Sequence, residues 1–245
     1  MKLPLTAACI ALLSFFSSLH SANLSQIKAE HAVIDFSKIE IQTTDTVALD
    51  GKWNLYWQEF ISPDGVSLSA PVEVPVRGTW KGITYKNMPL PADGWASYQL
   101  LILLGKSRGD FALKISNIGT AYKLFANGNL IASEGNPGIS AGESVPRTIP
   151  ALAKLPQPDA AGRILLVVHV SNFDDRHGGI WQTMRLGHLA DMQRRVNNEY
   201  ALAAFLFGAI FLIGLHHLFM FLRRTSDVSN LAFALICVLL AVRSL

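Results

Sequence analysis

The feature that most constrains this chain is an uninterrupted apolar stretch over residues 200–222, which reads YALAAFLFGAIFLIGLHHLFMFL. Only its two histidines can carry a charge. At a helical rise of 1.5 Å per residue, this stretch extends roughly 34 Å, which is enough to cross a bilayer with some tilt. The sequence therefore predicts a transmembrane helix over residues 199–222.

A second apolar run follows the first after a short polar segment. We interpret residues 223–230, which open with two arginines, as a cytoplasmic link, and residues 231–245 as the start of a second transmembrane helix. The run before Arg243 is too short to cross a bilayer by itself. We therefore expect this sequence to be the front part of a longer membrane protein.

Two adjacent histidines, His216 and His217, lie inside the predicted membrane helix. Neighbouring residues on a helix point about 100° apart, so the pair cannot bind one metal ion or haem together. Hydrogen bonding to a neighbouring helix near the cytoplasmic end is the favoured interpretation. Ala204 and Gly208 form a small-xxx-small pair, which predicts a close approach of another helix.

The N-terminus has the pattern of a secretory signal peptide. Lys2 is followed by an apolar run to Phe16 and then by small and polar residues. We predict a signal peptide over residues 1–22, with an uncleaved anchor as the alternative. A working signal would export residues 23–195, and the first membrane helix would then run from outside to inside.

Composition narrows what the exported segment can be. The chain has two cysteines, Cys9 and Cys237, and neither lies between residues 23 and 195. That segment can therefore form no disulfide and no thiolate metal site. The net charge of +3 is spread along the chain without a basic patch, which argues against nucleic acid as a partner.

The exported segment has the pattern of an all-β domain. Residues 53–57 alternate apolar and polar, and residues 98–104 and 163–170 are nearly continuous apolar runs. Asn127-Gly128 lies between two apolar runs and is the favoured pair for a type I′ hairpin turn. Several short strands without an internal helix predict a β-sandwich or jelly roll.

One polar stretch of this domain, SNFDDRHGGIW over residues 171–181, lies between two predicted strands. One interpretation is a structural turn, with Asn172 capping the strand and two glycines permitting the bend. The other is a ligand loop, in which Arg176, His177 and Trp181 contact a small molecule or another domain. The residue types alone leave both interpretations open.

Metal binding and catalysis are poorer interpretations of the same stretch. Asp174, Asp175 and His177 are accompanied by no second histidine or cysteine at ligand spacing. A glycosidase needs two carboxylates held on opposite sides of a sugar, whereas two adjacent aspartates point apart. We predict no catalytic residue, no metal and no cofactor.

Five stretches occur in this order: DGKWNLYWQEF, VPVRGTW, GWASYQLLILL, AYKLFANGNLIASEGNPG and VSNFDDRHGGIWQTMRLG. With GAIFLIGLHHLFMFLRR behind them, they resemble the extracellular domain and first helix of the bacterial 7TM receptors with diverse intracellular signalling modules. The resemblance covers roughly residues 45–245. It implies a periplasmic jelly roll, similar to a sugar-binding domain of certain glycoside hydrolases. It also implies further membrane helices and a cytoplasmic output module as partners.

We therefore predict a receptor front end in a bacterial inner membrane, not an enzyme, whose periplasmic domain senses a small molecule, a carbohydrate or an envelope protein. The alternatives are a membrane-tethered carbohydrate-binding or adhesion module without signalling, and an accessory domain of a tethered glycan hydrolase. Core packing of the tryptophans and solvation of the arginines compete with ligand contact at each predicted position. The predicted ligand-binding residues are Trp80, Trp95, Arg147, Arg176, His177 and Trp181.

Overall fold

The computed structural model describes Leu24, residues 26–105 and residues 107–243. The predicted signal peptide, residues 1–22, lies outside the described residues. The chain divides into two compact units, Met1–Met192 and Gln193–Leu245. The first unit is mostly β-sheet and the second is helical, which confirms the predicted fold class at this level.

Strands of two to ten residues make up most of the regular structure of the first unit. They are β1 Val33–Asp35, β2 Thr46–Ala48, β3 Gly51–Trp57, β4 Val72–Val76, β5 Thr84–Tyr85, β6 Met88–Pro89, β7 Gly94–Leu103, β8 Phe111–Ile115, β9 Ala121–Ala126, β10 Asn129–Glu134, β11 Ala151–Lys154, β12 Arg163–Asn172 and β13 Arg185–His188. The turn between β9 and β10 has positive φ at Asn127 (47°) and Gly128 (80°), as the predicted type I′ hairpin requires.

Within the described residues, these strands form three sheets. The largest has the order β10-β9-β12-β7-β3-β4, and β1 pairs in parallel with β7. The second has the order β11-β8-β13-β2, and β5 and β6 form a small hairpin. The longest pairing in the large sheet is antiparallel and joins β7 and β12 along the full length of both strands.

The two larger sheets share one hydrophobic core. Trp53, Leu100 and Leu166 from the large sheet are fully buried in the same cluster as Leu113 and Leu186 from the smaller sheet. Apolar side chains that alternate along each strand can be buried in this way only when two sheets pack face to face. Loop residues such as Trp80, Ile118 and Ile180 also belong to this core, so some connections between strands are packed against it.

Two helices follow the strands: α1 Leu189–Arg223 and α2 Val228–Arg243. Helix α1 is long and apolar enough to cross a membrane, and only 6% of its most apolar 18-residue window is buried. It begins ten residues before the predicted start at 199. The first residues of the helix belong to the first unit, where the Leu189 N–H donates to the carbonyl oxygen of the distant Asp110 and Met192 is buried.

Within the second unit, helices α1 and α2 contact each other as an antiparallel hairpin. The predicted histidine hydrogen bond between helices is confirmed for His217, whose Nδ1 lies 2.8 Å from Oδ1 of Asn230. The close approach occurs at Gly214, where a Cβ would lie 3.1 Å from the Cβ of Cys237. At Gly208, where the small-xxx-small pair predicted a close approach, no atom of another described helix lies within 4 Å of the Cβ position.

Candidate functional site

A cleft of about 240 Å³ lies at the end of the β domain where β8 and β12 finish and β9 and β11 begin. Its wall comes from three separate parts of the chain: residues 117–120, Thr148, and three side chains of the predicted polar loop. Those three side chains are Asp175, His177 and Trp181. The fold therefore makes the predicted polar loop one of the three chain segments that form the wall of the cleft.

Asn172 fixes the shape of this loop. Its side chain is fully buried, and Nδ2 donates to the carbonyl oxygens of Ala92 (2.9 Å) and Asp175 (2.6 Å). Its Oδ1 accepts the backbone N–H of Asp175 at 3.2 Å. The predicted capping role of Asn172 is therefore confirmed, and it holds Asp175 at a defined place on the cleft wall.

Trp80 lies in the core, so its prediction as a ligand-contact residue is wrong. The ring is fully buried, and its Nε1–H donates to the Tyr98 hydroxyl at 2.8 Å. The backbone N–H of Trp80 donates to the Gly178 carbonyl oxygen at 3.0 Å. A Cβ on Gly178 would lie 2.2 Å from a Trp80 ring carbon, so the glycine is needed for this close approach. Trp80 is the buried surface on which the loop rests.

Trp181 provides an aromatic surface on the cleft wall. Its ring is half-buried, with its centroid 6.3 Å from that of the His177 ring. The Nε1 atom is buried and has no hydrogen-bond partner among the described residues. A buried N–H without an acceptor costs free energy.

Asp175 supplies the charge of the wall. Its Oδ1 accepts the His177 backbone N–H at 2.8 Å and lies 3.2 Å from Nδ1 of the same residue. The backbone hydrogen bond from His177 is the largest cause that holds the pKa of Asp175 below its ordinary value. Asp175 is therefore a carboxylate at neutral pH, and about half of its side chain is exposed to solvent.

Arg147 is engaged by another residue beside the cleft. Its Nε lies 3.2 Å from Oε2 of Glu134, and its backbone N–H donates to the Thr120 carbonyl oxygen. Glu134 is opposite Tyr122 in the β9–β10 ladder, and burial, with the Glu134 charge, raises the pKa of Tyr122 to about 12. The residue that reaches the wall is Thr148, the next one along the chain.

Two other predicted residues lie outside the wall. Trp95 is half-buried on β7, opposite Ser171 of β12, and Arg176 is an exposed residue between Asp175 and His177. Of the six predicted residues, the structure brings only His177 and Trp181 together in the cleft. Sequence reasoning missed Thr148 and residues 117–120, because a short polar connection between strands carries no pattern of its own.

The described residues include no group of three or more His, Cys, Asp or Glu side chains that could hold a metal ion. Asp175 is the one carboxylate among the wall residues of this cleft. A wall of indole, imidazole, amide, hydroxyl and carboxylate groups binds ligands through stacking and hydrogen bonds.

No protein-family model and no curated protein matches the chain. Solved structures with a similar arrangement include a β-glucuronidase from Ruminococcus gnavus (18% identity, TM-score 0.45, 60% of this chain and 30% of that one). They also include a GH2 β-galacturonidase from Eisenbergiella tayi (17% identity, TM-score 0.42, 61% and 25%) and a β-glucuronidase from an uncultured Clostridium sp. (16%, 0.46, 60% and 29%). The chain thus spans less than a third of the length of these proteins. Their names state what those enzymes act on, whereas the cleft residues decide what this chain can bind.

Proposed function

We propose that this chain is the ligand-sensing front end of a membrane receptor of the kind its sequence resembles, the bacterial 7TM receptors with diverse intracellular signalling modules. In this proposal the β domain is a periplasmic jelly roll, and α1 is the first membrane helix. The observation that carries the proposal is the cleft, because it joins a preorganised polar loop to the half-buried aromatic ring of Trp181.

The chemistry of the wall supports a small polyhydroxylated ligand, such as a sugar unit. The indole of Trp181 offers a face for the C–H groups of a sugar ring. The Asn117 amide, the hydroxyls of Thr120 and Thr148 and the Asp175 carboxylate offer donors and acceptors for hydroxyl groups. A volume of about 240 Å³ is close to the lower limit of ordinary ligand pockets, roughly 300 Å³. One sugar unit suits this size better than a long chain.

Continuity of the chain supports a relay to the membrane. The cleft loop ends four residues before β13, and β13 leads directly into α1, a helix of 35 residues. A ligand shifts a receptor only if it binds two receptor states with different affinity. We therefore propose that ligand binding favours one arrangement of the segment around Leu189, where α1 begins, and that the helix carries this preference into the bilayer.

Binding is tested with the 245-residue chain in lipid nanodiscs prepared without glycoside detergents, whose headgroups are themselves sugars. A panel of methyl glycosides is titrated by calorimetry. We expect Trp181→Ala to weaken binding at least tenfold, as a central aromatic contact does. Trp181→Phe keeps the stacking surface and removes only the N–H donor, so it should weaken binding less. If no glycoside binds, the carbohydrate proposal is wrong.

Signalling is tested separately from binding. A cysteine at Ser226, in the polar link between α1 and α2, is labelled with a thiol reagent in the presence and absence of the ligand found above. A ligand-dependent labelling rate supports a relay. An unchanged rate, together with confirmed binding, supports the tethered binding or adhesion module instead. Release of nitrophenol from the nitrophenyl analogues of the same glycosides would favour a hydrolase.

A further inference from the structure

We infer that the cleft discriminates by charge, so that it binds a neutral sugar and rejects the corresponding uronic acid. This inference rests on the proposed carbohydrate-binding function and specifies its ligand class. The deciding group is at C6 of the sugar, where a neutral hexose carries a hydroxymethyl group and the corresponding uronic acid carries a carboxylate. Three observations on the cleft wall and the residues around it support the inference.

The first observation is the set of charges on the wall. Asp175 is an anion, His177 is an imidazole, and the other wall residues, 117–120, Thr148 and Trp181, are uncharged. No lysine or arginine is part of the described wall. A ligand carboxylate in this cleft would therefore lie near a fixed carboxylate, without the bidentate arginine that carboxylate recognition ordinarily uses.

The second observation is the position of the two nearby arginines. Arg147 lies against Glu134, with 3.2 Å between Nε and Oε2. Its positive charge is therefore offset by the Glu134 carboxylate, which is mostly buried. Arg176 is exposed and lies outside the wall. Attraction from an exposed charge is weakened by water and by salt. Arg147 is paired with Glu134, and the exposed charge of Arg176, which acts on the Asp175 carboxylate, offsets the repulsion from Asp175 only in part.

The third observation is the way in which Asp175 is held. Both recorded bonds to its side chain, from the His177 backbone and ring, fall on Oδ1. Asn172 fixes the Asp175 backbone on both its N–H and its carbonyl side. Oδ2 is therefore available as an acceptor in a preorganised position. A sugar hydroxyl can donate to it, whereas an ionised ligand carboxylate has no proton to donate.

The experiment compares two matched pairs, methyl glucoside with methyl glucuronide and methyl galactoside with methyl galacturonide. The full chain is used in nanodiscs of zwitterionic lipid, so that the membrane surface does not itself repel anions. Calorimetry is done at about pH 8, where histidine is ordinarily neutral. We expect the neutral member of a pair to bind about tenfold tighter, which is the scale for two like charges roughly 6 Å apart at a partly solvated site.

Two variants separate the wall charge from the general charge of the loop. Asp175→Asn keeps an Oδ1 acceptor for His177 and should bring the preference close to one. Asp174→Asn removes the same charge from the adjacent, exposed residue outside the wall and should leave the preference intact. If Asp175→Asn does not fold, the salt dependence of the native chain replaces it. The preference should shrink between about 0.05 M and about 0.5 M salt, because added ions screen the repulsion.

Each outcome decides the matter. A uronide that binds as tightly as its neutral partner overturns the charge inference and leaves the carbohydrate proposal standing. A preference that survives both Asp175→Asn and high salt overturns the assignment to Asp175. If neither member of either pair binds, while the chain is folded by intrinsic tryptophan fluorescence, the carbohydrate proposal fails and this inference fails with it.

Discussion

Gly178→Ala tests most directly how the cleft loop is supported. A Cβ at this position would lie 2.2 Å from Cε3 of Trp80 and 2.4 Å from the carbonyl oxygen of Ala92. Ordinary contacts between non-bonded carbon atoms are about 3.5–4.0 Å. The loop or the indole must therefore move by more than 1 Å to accept one methyl group.

Neither neighbour can move freely. The Trp80 ring is fully buried, and its Nε1–H donates to Tyr98 at 2.8 Å. The Ala92 carbonyl oxygen already accepts a bond from the Asn172 side chain at 2.9 Å. Overpacking of this kind costs about 1–3 kcal/mol, and we place Gly178→Ala at about 3 kcal/mol because two contacts are violated together. For a unit of this size, that lowers Tm by about 6–12 °C.

Thermal unfolding followed by tryptophan fluorescence is the assay, because all five tryptophans lie in the β unit. The matched control is Gly142→Ala in an exposed loop, where no described atom lies within 4 Å of the Cβ position. The control should keep its Tm within about 1 °C of the native chain. If Gly178→Ala unfolds at the same temperature as the control, Trp80 does not support the loop as argued. Glycoside binding should weaken in Gly178→Ala in parallel with Tm.

Three further predictions test other parts of the chain. Tyr98→Phe leaves the buried Trp80 N–H without its acceptor and should lower the free energy of unfolding by about 2 kcal/mol, measured in the same thermal assay. Burial lowers the pKa of His169 below 6.5, so the unfolded chain takes up protons first, and stability should fall as pH drops from neutral through 6.5 toward the folded pKa. His169→Gln should flatten that dependence in denaturant titrations at several pH values. His217→Leu removes the bond to Asn230 and should destabilise the helix hairpin by about 0.6 kcal/mol in reversible detergent unfolding.

Each of these three predictions has an outcome that would contradict it. A Tyr98→Phe chain with native Tm would mean that the Trp80 N–H finds another acceptor. An unchanged pH profile in His169→Gln would assign the dependence to other titrating groups. Asn230→Ala also removes a bond to Asp227 and should cost more than His217→Leu, and the double variant should cost no more than Asn230→Ala alone. Additive losses would show that the two side chains act independently.

Local patterns predicted the elements whose shape depends on near neighbours. The Asn127-Gly128 turn forms as expected, because a two-residue hairpin demands positive φ at both positions and these residues tolerate it. Asn172 ends its strand as expected, because its side chain bonds within three residues. The start of α1 was missed, because Leu189 is held by Asp110, a residue far away in sequence.

By itself, the sequence determined that an apolar helix follows a cysteine-free β domain, since hydrophobic length and period depend only on residue order. It also placed one polar loop at the end of a strand. Only the tertiary structure decided which side chains of that loop share a cleft, and that Trp80 belongs to the core while Trp181 belongs to the wall. The physical reason is that burial depends on how strands pair within each sheet and how the two sheets pack against each other. Residues 117–120 and Thr148 meet the loop only because β8, β9, β11 and β12 have ends at the same edge of the fold.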